Sequence, residues 1–205
     1  SLAWRLWGGM RERFFAAIIL ALAVFDLTTF SYGFIGFSHA RDIYPSAPVF
    51  DFLNRNADAA LFRAVQVGNS YSANVAMMYG FAAADGYEVC LERPRLFASD
   101  FSEAREDGVF LTAGKVVEFN DRRLDMLNVK YLVVPGHGPE FQQLTAHPDR
   151  FTSAFDDGHV AVFENRRVLP RAFIVPASGI EVVPGVGAEF ERLKDPSFDP
   201  GRTVI

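Results

Sequence analysis

The sequence predicts an α/β (α+β) domain built on a mixed sheet, held outside the cytoplasm and preceded by one transmembrane helix. Three observations predict it. The run Phe14–Phe37 is apolar almost throughout and carries one charge, Asp26. The run Val129–Val134 (Val-Lys-Tyr-Leu-Val-Val) is rich in β-formers and is closed by Pro135-Gly136. Asp157-Gly158 separates two partly alternating runs, Phe151–Asp156 and His159–Glu164, which is a strong hairpin signal. Strands mixed with short helices, some joined by a hairpin, indicate a layered α/β or α+β domain. The chain therefore divides into a flank (1–13), a span (14–37) and a domain (38–205).

The span rests on length and on the absence of a polar stripe. A bilayer-crossing helix needs about 20 mostly apolar residues, and Phe14–Phe37 exceeds that. A buried core helix would show one polar stripe, and Ile18–Phe25 has none. A signal peptide fits less well, because no Ala-x-Ala site precedes a polar mature start. Arg5, Arg11 and Arg13 precede the run against Arg41 alone after it, so the positive-inside rule places the N-terminal side in the cytoplasm and the rest outside. Trp4, Trp7, Tyr32 and Tyr44 suit the two interfaces. Asp26 requires either a polar contact with other spans or a place near the outer interface.

The remaining elements follow in order. Ser46-Ala47-Pro48 opens a helix with Ser46 as cap and Val49, Phe50 and Leu53 on one face. Leu61–Val67 reads as a strand stopped by Gly68-Asn69, and Asn74–Gly80 as a single helical turn. Leu91–Ala104 is a surface helix or loop weakened by Pro94. Asn120 caps a short helix through Leu124 and Leu127, which leads into the strand Val129–Val134. Gly138-Pro139 starts another helix over Phe141 and Leu144. Ala172–Val175 and Ile180–Val183 are expected as short strands, and Gly187–Lys194 as a helix with Phe190 and Leu193 inward. The first residue is Ser1, and the β-branched end Thr203-Val204-Ile205 reads as the opening of a strand. Both features predict a chain cut from a longer protein.

Composition excludes several classes. Twenty Lys and Arg against 25 Asp and Glu give a formal charge of −5, without the basic block a nucleic-acid surface needs. One cysteine, Cys90, rules out an internal disulfide framework. His39, His137, His147 and His159 are scattered without metal-ligand spacing, so neither a metal nor a cofactor is expected. Gly136-His137-Gly138-Pro139 lacks the third glycine or the Lys-Ser/Thr of a phosphate loop and reads as a tight turn. No Gly-x-Ser-x-Gly elbow is present, and nothing in sequence around Cys90 would activate its thiol. Asp85 and Glu88 flank Gly86-Tyr87, a spacing that permits a carboxylate pair but equally suits an acidic loop. No catalytic residue is assigned. Asn74, Tyr79, Asp85 and Tyr87 are the binding candidates, because aromatic faces stack on sugar rings while amides and carboxylates bind hydroxyls. The alternative is that both tyrosines pack a loop against the sheet and Asn74 turns the backbone. Arg171 could hold an anionic glycan or lipid phosphate, or bridge a strand end to an acidic neighbour.

One resemblance spans nearly the whole chain. It runs through Pro45-Ser46-Ala47-Pro48-Val49-Phe50-Asp51-Phe52-Leu53, Phe62-Arg63-Ala64-Val65, Asn74-Val75-Ala76-Met77-Met78-Tyr79-Gly80 and Asp85-Gly86-Tyr87. It continues through Leu124-Asp125-Met126-Leu127-Asn128-Val129-Lys130-Tyr131-Leu132-Val133-Val134, Glu164-Asn165 and Leu169-Pro170-Arg171-Ala172-Phe173. In this order after a span, these segments resemble the C-terminal portion of the YfhO-like bacterial membrane proteins, which are polytopic and related to GT-C glycosyltransferases. The resemblance implies a plasma-membrane protein that moves a sugar from a polyprenyl-phosphate carrier to a glycan outside the cytoplasm. It also implies that the catalytic acid lies in a first outer loop upstream of this chain. The partners it implies are the lipid bilayer, other transmembrane helices of the same protein, and a glycan or polyprenyl-linked sugar. Two other classes stay open: a single-pass anchored binding or sensor domain, and a soluble enzyme whose apolar run is a core helix.

Overall fold

The computed structural model describes residues 2–34, 36, 38–56, 61–68, 70–72, 74–86, 91–98, 103–104, 111–112 and 121–205. The chain forms two compact units, Ser1–Pro45 and Ser46–Ile205. The first contains helix α1, Leu2–Phe34, and a short turn of helix α2, Ala40–Ile43. Within α1, residues 11–34 are long and apolar enough to cross a membrane. Every side chain in that stretch is exposed except the half-buried Ser31. The helix starts well before the expected Phe14 and stops at Phe34, short of Phe37, with Gly33 and Gly36, poor helix formers, around its end.

The second unit opens with α3, Pro48–Asn56. Pro48 takes the first helical position, where its missing N–H is no loss. The cap position falls to Ala47 and not to the expected Ser46: the Ala47 carbonyl accepts from Phe50 N at 3.0 Å and Asp51 N at 3.3 Å. Strand β1, Arg63–Gln66, follows, then the single-turn α4, Val75–Tyr79, set between Asn74 and Gly80, both left-handed. Helix α5, Glu92–Ala98, tolerates Pro94 because it lies in the first turn. Strands β2, Glu103–Ala104, and β3, Leu111–Thr112, form a small antiparallel pair.

Helix α6, Arg123–Met126, feeds strand β4, Val129–Pro135, through a left-handed Asn128. The expected cap Asn120 lies outside the described residues; the carboxylate of Asp121 accepts from Arg123 N at 2.8 Å. Helix α7, Pro139–Thr145, strands β5, Phe151–Asp156, and β6, Val160–Asn165, and helix α8, Val186–Lys194, complete the order.

The main sheet runs β1-β4-β6-β5, with β1 parallel to β4 and the other neighbours antiparallel. It is mixed, as the sequence predicts. Alternation in β4 explains its two packed faces. Tyr131 and Val133 join Val49, Phe50 and Leu53 of α3, Ala76 of α4 and Val162 of β6. Leu132 and Val134 join Leu124 of α6, Leu144 of α7, Phe151 and Phe163 on the other face. Register enforces the division, because Leu132 pairs with Phe163 and Val133 with Val162. The β5–β6 turn is held by Asp157, whose carboxylate accepts from His159 N and Val160 N, while Gly158 adopts φ 84°. Gly136 supplies the close approach that turns β4 toward α7: a β-carbon there would meet the Gly158 carbonyl oxygen at 2.7 Å.

Two expected strands are not formed. Ala172–Val175 is irregular, and Ile180 makes only an isolated bridge to Val204. These β-branched residues have no strand to pair with, and Ile174 and Val182 are 95% and 94% exposed. Propensity without a neighbouring ladder does not make a strand.

Candidate functional site

The carboxyl end of β1 gathers two of the five predicted binding residues, Asn74 and Asp85. A parallel bridge between Ala64 and Ala83 lays the segment before Asp85 alongside β1. This brings the Asp85 carboxylate to the last strand residue, where its Oδ1 accepts from Gln66 N at 3.4 Å. Gln66 Oε1 in turn accepts from Tyr71 N at 3.2 Å, folding the loop after β1 back over the strand end. The Tyr71 phenol lies close enough to Asp85 to perturb its titration. Yet neither Tyr71 Oη nor Asp85 Oδ2 completes a hydrogen bond, and both atoms are buried.

Burial dominates the electrostatics. It pushes Asp85 up to about 6, against backbone and Gln66 hydrogen bonds that favour the charged form. Burial, and then the neighbouring Asp85 charge, likewise raise the Tyr71 phenol well above its usual range. The pair therefore presents a carboxyl group that changes charge near neutral pH beside a phenol that does not.

Asn74 joins this site. Its Oδ1 lies where a side chain on Gly86 would come within 3.1 Å, so Asn74 and the Asp85-Gly86 backbone are neighbours. Tyr79 does not present a free ring; it stacks on Phe50 at 4.1 Å, within a cluster completed by Tyr71 and Phe81. This is the packing role weighed as the alternative. Tyr87 lies outside the described residues. Arg171 is exposed and stands near Arg63, the first residue of β1, whose guanidinium it lowers after burial. It is thus at the other end of the strand, about 10 Å away at the usual rise per residue. The neighbouring loop brings in Glu140 of α7, unnoticed in the sequence: a side chain at Gly68 would come within 3.1 Å of its carboxyl carbon. In open sheets, ligands bind beyond the carboxyl ends of parallel strands, and β1 and β4 are the parallel pair here.

A second polar cluster was not legible as such. Asp125 Oδ1 accepts from Arg150 Nη2 at 2.8 Å and from Asn165 Nδ2 at 2.7 Å. Arg150 Nη2 also donates to the Asp121 carbonyl at 2.9 Å, and Asn165 Nδ2 to the Val129 carbonyl at 3.0 Å. Arg150 and Asn165 are each 1% exposed. Burial raises Asp125 and lowers Arg150, and their mutual attraction opposes both shifts. The Asp125 carbonyl accepts from Leu169 N at 3.2 Å, and Asn128 Nδ2 donates to the Leu169 carbonyl at 2.7 Å. Leu169-Pro170 is therefore strapped to α6. The available signal was Asp125 set among Leu124, Met126 and Leu127, and nothing local marks Asn165, which lies between Glu164 and Arg166.

Among the described residues, no group of three His, Cys, Asp or Glu side chains could hold a metal ion. No protein-family model, curated protein or solved structure matches the chain.

Proposed function

We propose that this chain is the non-catalytic, membrane-proximal outer portion of a polytopic membrane protein, one that resembles polyprenyl-phosphate-sugar-dependent glycosyltransferases acting on cell-surface glycans. The observation that carries this reading is α1. Residues 11–34 leave a continuous apolar surface exposed among the described residues, Phe14, Phe25, Phe30 and Phe34 each being at least 70% exposed. Exposed apolar area costs about 25 cal/mol per Å² in water, and a bilayer removes that cost. Asp26 sits within the run, exposed and without a hydrogen bond or ion pair among the described residues. A carboxylate at that depth calls for polar neighbours on other helices.

The domain adds consistency. The segments on which the family resemblance was read, Leu124–Val134, Glu164-Asn165 and Leu169-Pro170, converge on one buried network through Asp125, Asn165 and Asn128. Segments far apart in sequence thus share one structural purpose, which is what a common domain would preserve. At the carboxyl end of β1, the exposed Asn74, with Asp85 and Tyr71 buried beneath the loop, offers an amide suited to a glycan or a polyprenyl-linked sugar. No nucleophile or catalytic pair is built there among the described residues, which suits a domain that positions or binds.

The upstream reading frame tests the proposal. Several further spans and an acidic residue in the first outer loop are expected. A frame holding this one span would move the chain to a single-pass anchored binding or sensor domain.

A further inference from the structure

A cleft of about 490 Å³ opens beside the buried network, lined by Arg122, Arg150 and Arg167 together with Asp125, Ser197 and Asp199. Its volume lies within the range of small-molecule sites, roughly 300–1,000 Å³. Its three guanidiniums come from three separate segments: the start of α6, the residue before β5 and the segment after β6. They converge on one volume from different directions.

The three guanidiniums differ in how firmly they are already engaged. Asp125 is occupied by Arg150 and Asn165. Asp199 Oδ1 accepts from Gly201 N at 2.9 Å and closes a turn. Arg150 is fixed at the back by Asp125 and the Asp121 carbonyl. Arg122 spends one bond, Nη2 to the Pro196 carbonyl at 3.0 Å, which ties the opposite wall to α6. Arg167 pairs with Asp149, but both side chains are more than half exposed, so water screens that pair and it yields readily. The far wall is held as well, with Phe198 2% exposed and Ser197 N donating to Asp195 Oδ1 at 2.7 Å.

We infer that this cleft binds a small polar molecule carrying a phosphoryl group, with Arg122 and Arg167 contacting the anion and Arg150 behind them. Guanidinium forks match phosphate oxygens two at a time, and three convergent arginines suit a tetrahedral group better than a planar carboxylate. The size of the cleft calls for more than a bare ion. Because the walls are already fixed, little ordering opposes binding. The cleft is distinct from the Asp85 end of β1, and its ligand is independent of whether the parent protein transfers sugars.

The test is titration of the full chain in detergent micelles with glucose 1-phosphate and with inorganic phosphate, at ionic strength matched with chloride. Saturable binding is expected, with glucose 1-phosphate at least threefold tighter than inorganic phosphate. The Arg122→Ala/Arg167→Ala double variant should lose tenfold or more in affinity while still unfolding cooperatively. Arg122→Lys/Arg167→Lys should recover only part of it, since the charge returns without the fork. Absence of saturable binding, or equal affinity in the double alanine variant, overturns the assignment. Equal affinity for the two ligands overturns the small-molecule part and leaves an ion site.

Discussion

Asp85 concentrates the chemistry of the β1 end into one titration. Its folded carboxyl is raised from the usual 3.8 to about 6 by burial. The folded chain therefore holds this proton more tightly than the unfolded chain. Below about pH 4 both states are protonated and the group costs nothing. As pH rises from about 4 to 6 the unfolded chain ionises first, so stability falls across that window and stays lowered above it. The full penalty is on the order of 3 kcal/mol at about 1.4 kcal/mol per pH unit. Asp85→Asn removes the charge and keeps an acceptor for Gln66 N. It should be more stable than the parent by about 1–3 kcal/mol at pH 7.5 and nearly equal at pH 4. Urea melts at the two pH values check this, and a destabilised variant at pH 7.5 would mean that the ionised carboxylate is compensated in the folded chain.

The elements were legible where local pattern and tertiary pairing agree. Strand β4 was readable because its apolar residues serve both faces of a central strand, and the β5–β6 hairpin because Asp157-Gly158 satisfies its own turn. Helix α3 was readable from the spacing of Val49, Phe50 and Leu53, although its cap was placed one residue early. Ala172–Val175 and Ile180–Val183 carry the same β-formers and make no strand, because strand formation is decided by a partner the local sequence does not name. The Asp125–Arg150–Asn165 network failed for a related reason: its partners are 25 and 40 residues apart. Of the binding candidates, Asn74 and Asp85 lie together at the end of β1, while Tyr79 stacks on Phe50 and Arg171 stands by Arg63 at the other end. The network also fixes how α6, β5 and β6 meet, so its loss should be severe. Asp125→Ala leaves the Arg150 guanidinium buried without its carboxylate. Breaking a buried pair from one side costs about 3–5 kcal/mol. Denaturant unfolding should show that loss, and Asp125→Leu combined with Arg150→Met should recover part of it, because no buried charge is then left unpaired.

At the scale of the whole molecule, the two units answer to different solvents. Ser46–Ile205 encloses its apolar residues on two sheet faces, whereas residues 11–34 of Ser1–Pro45 enclose nothing. Residues 11–34 are long and apolar enough to cross a membrane, and a helix satisfies its own backbone in a nonpolar surrounding. Asp26 opposes it. Eight residues separate it from Phe34, about 12 Å along the helix at 1.5 Å per residue, which places it nearer the C-terminal end of 11–34 but not at that boundary. A carboxylate near the centre of an inserted helix costs about 2.5–3.5 kcal/mol by insertion measurements, and less toward an interface. Asp26→Leu should therefore raise the inserted fraction of α1 in microsomes, by about 1–3 kcal/mol converted from the ratio of inserted to translocated chains. The same substitution should weaken any association of α1 with other helices that use the carboxylate. The full chain should sediment with membranes and resist carbonate extraction, while 46–205 expressed alone should be soluble and unfold cooperatively. A detergent-free, monodisperse full chain would refute the span, because it would require residues 11–34 to find a covering surface within the protein that they do not have in this structure.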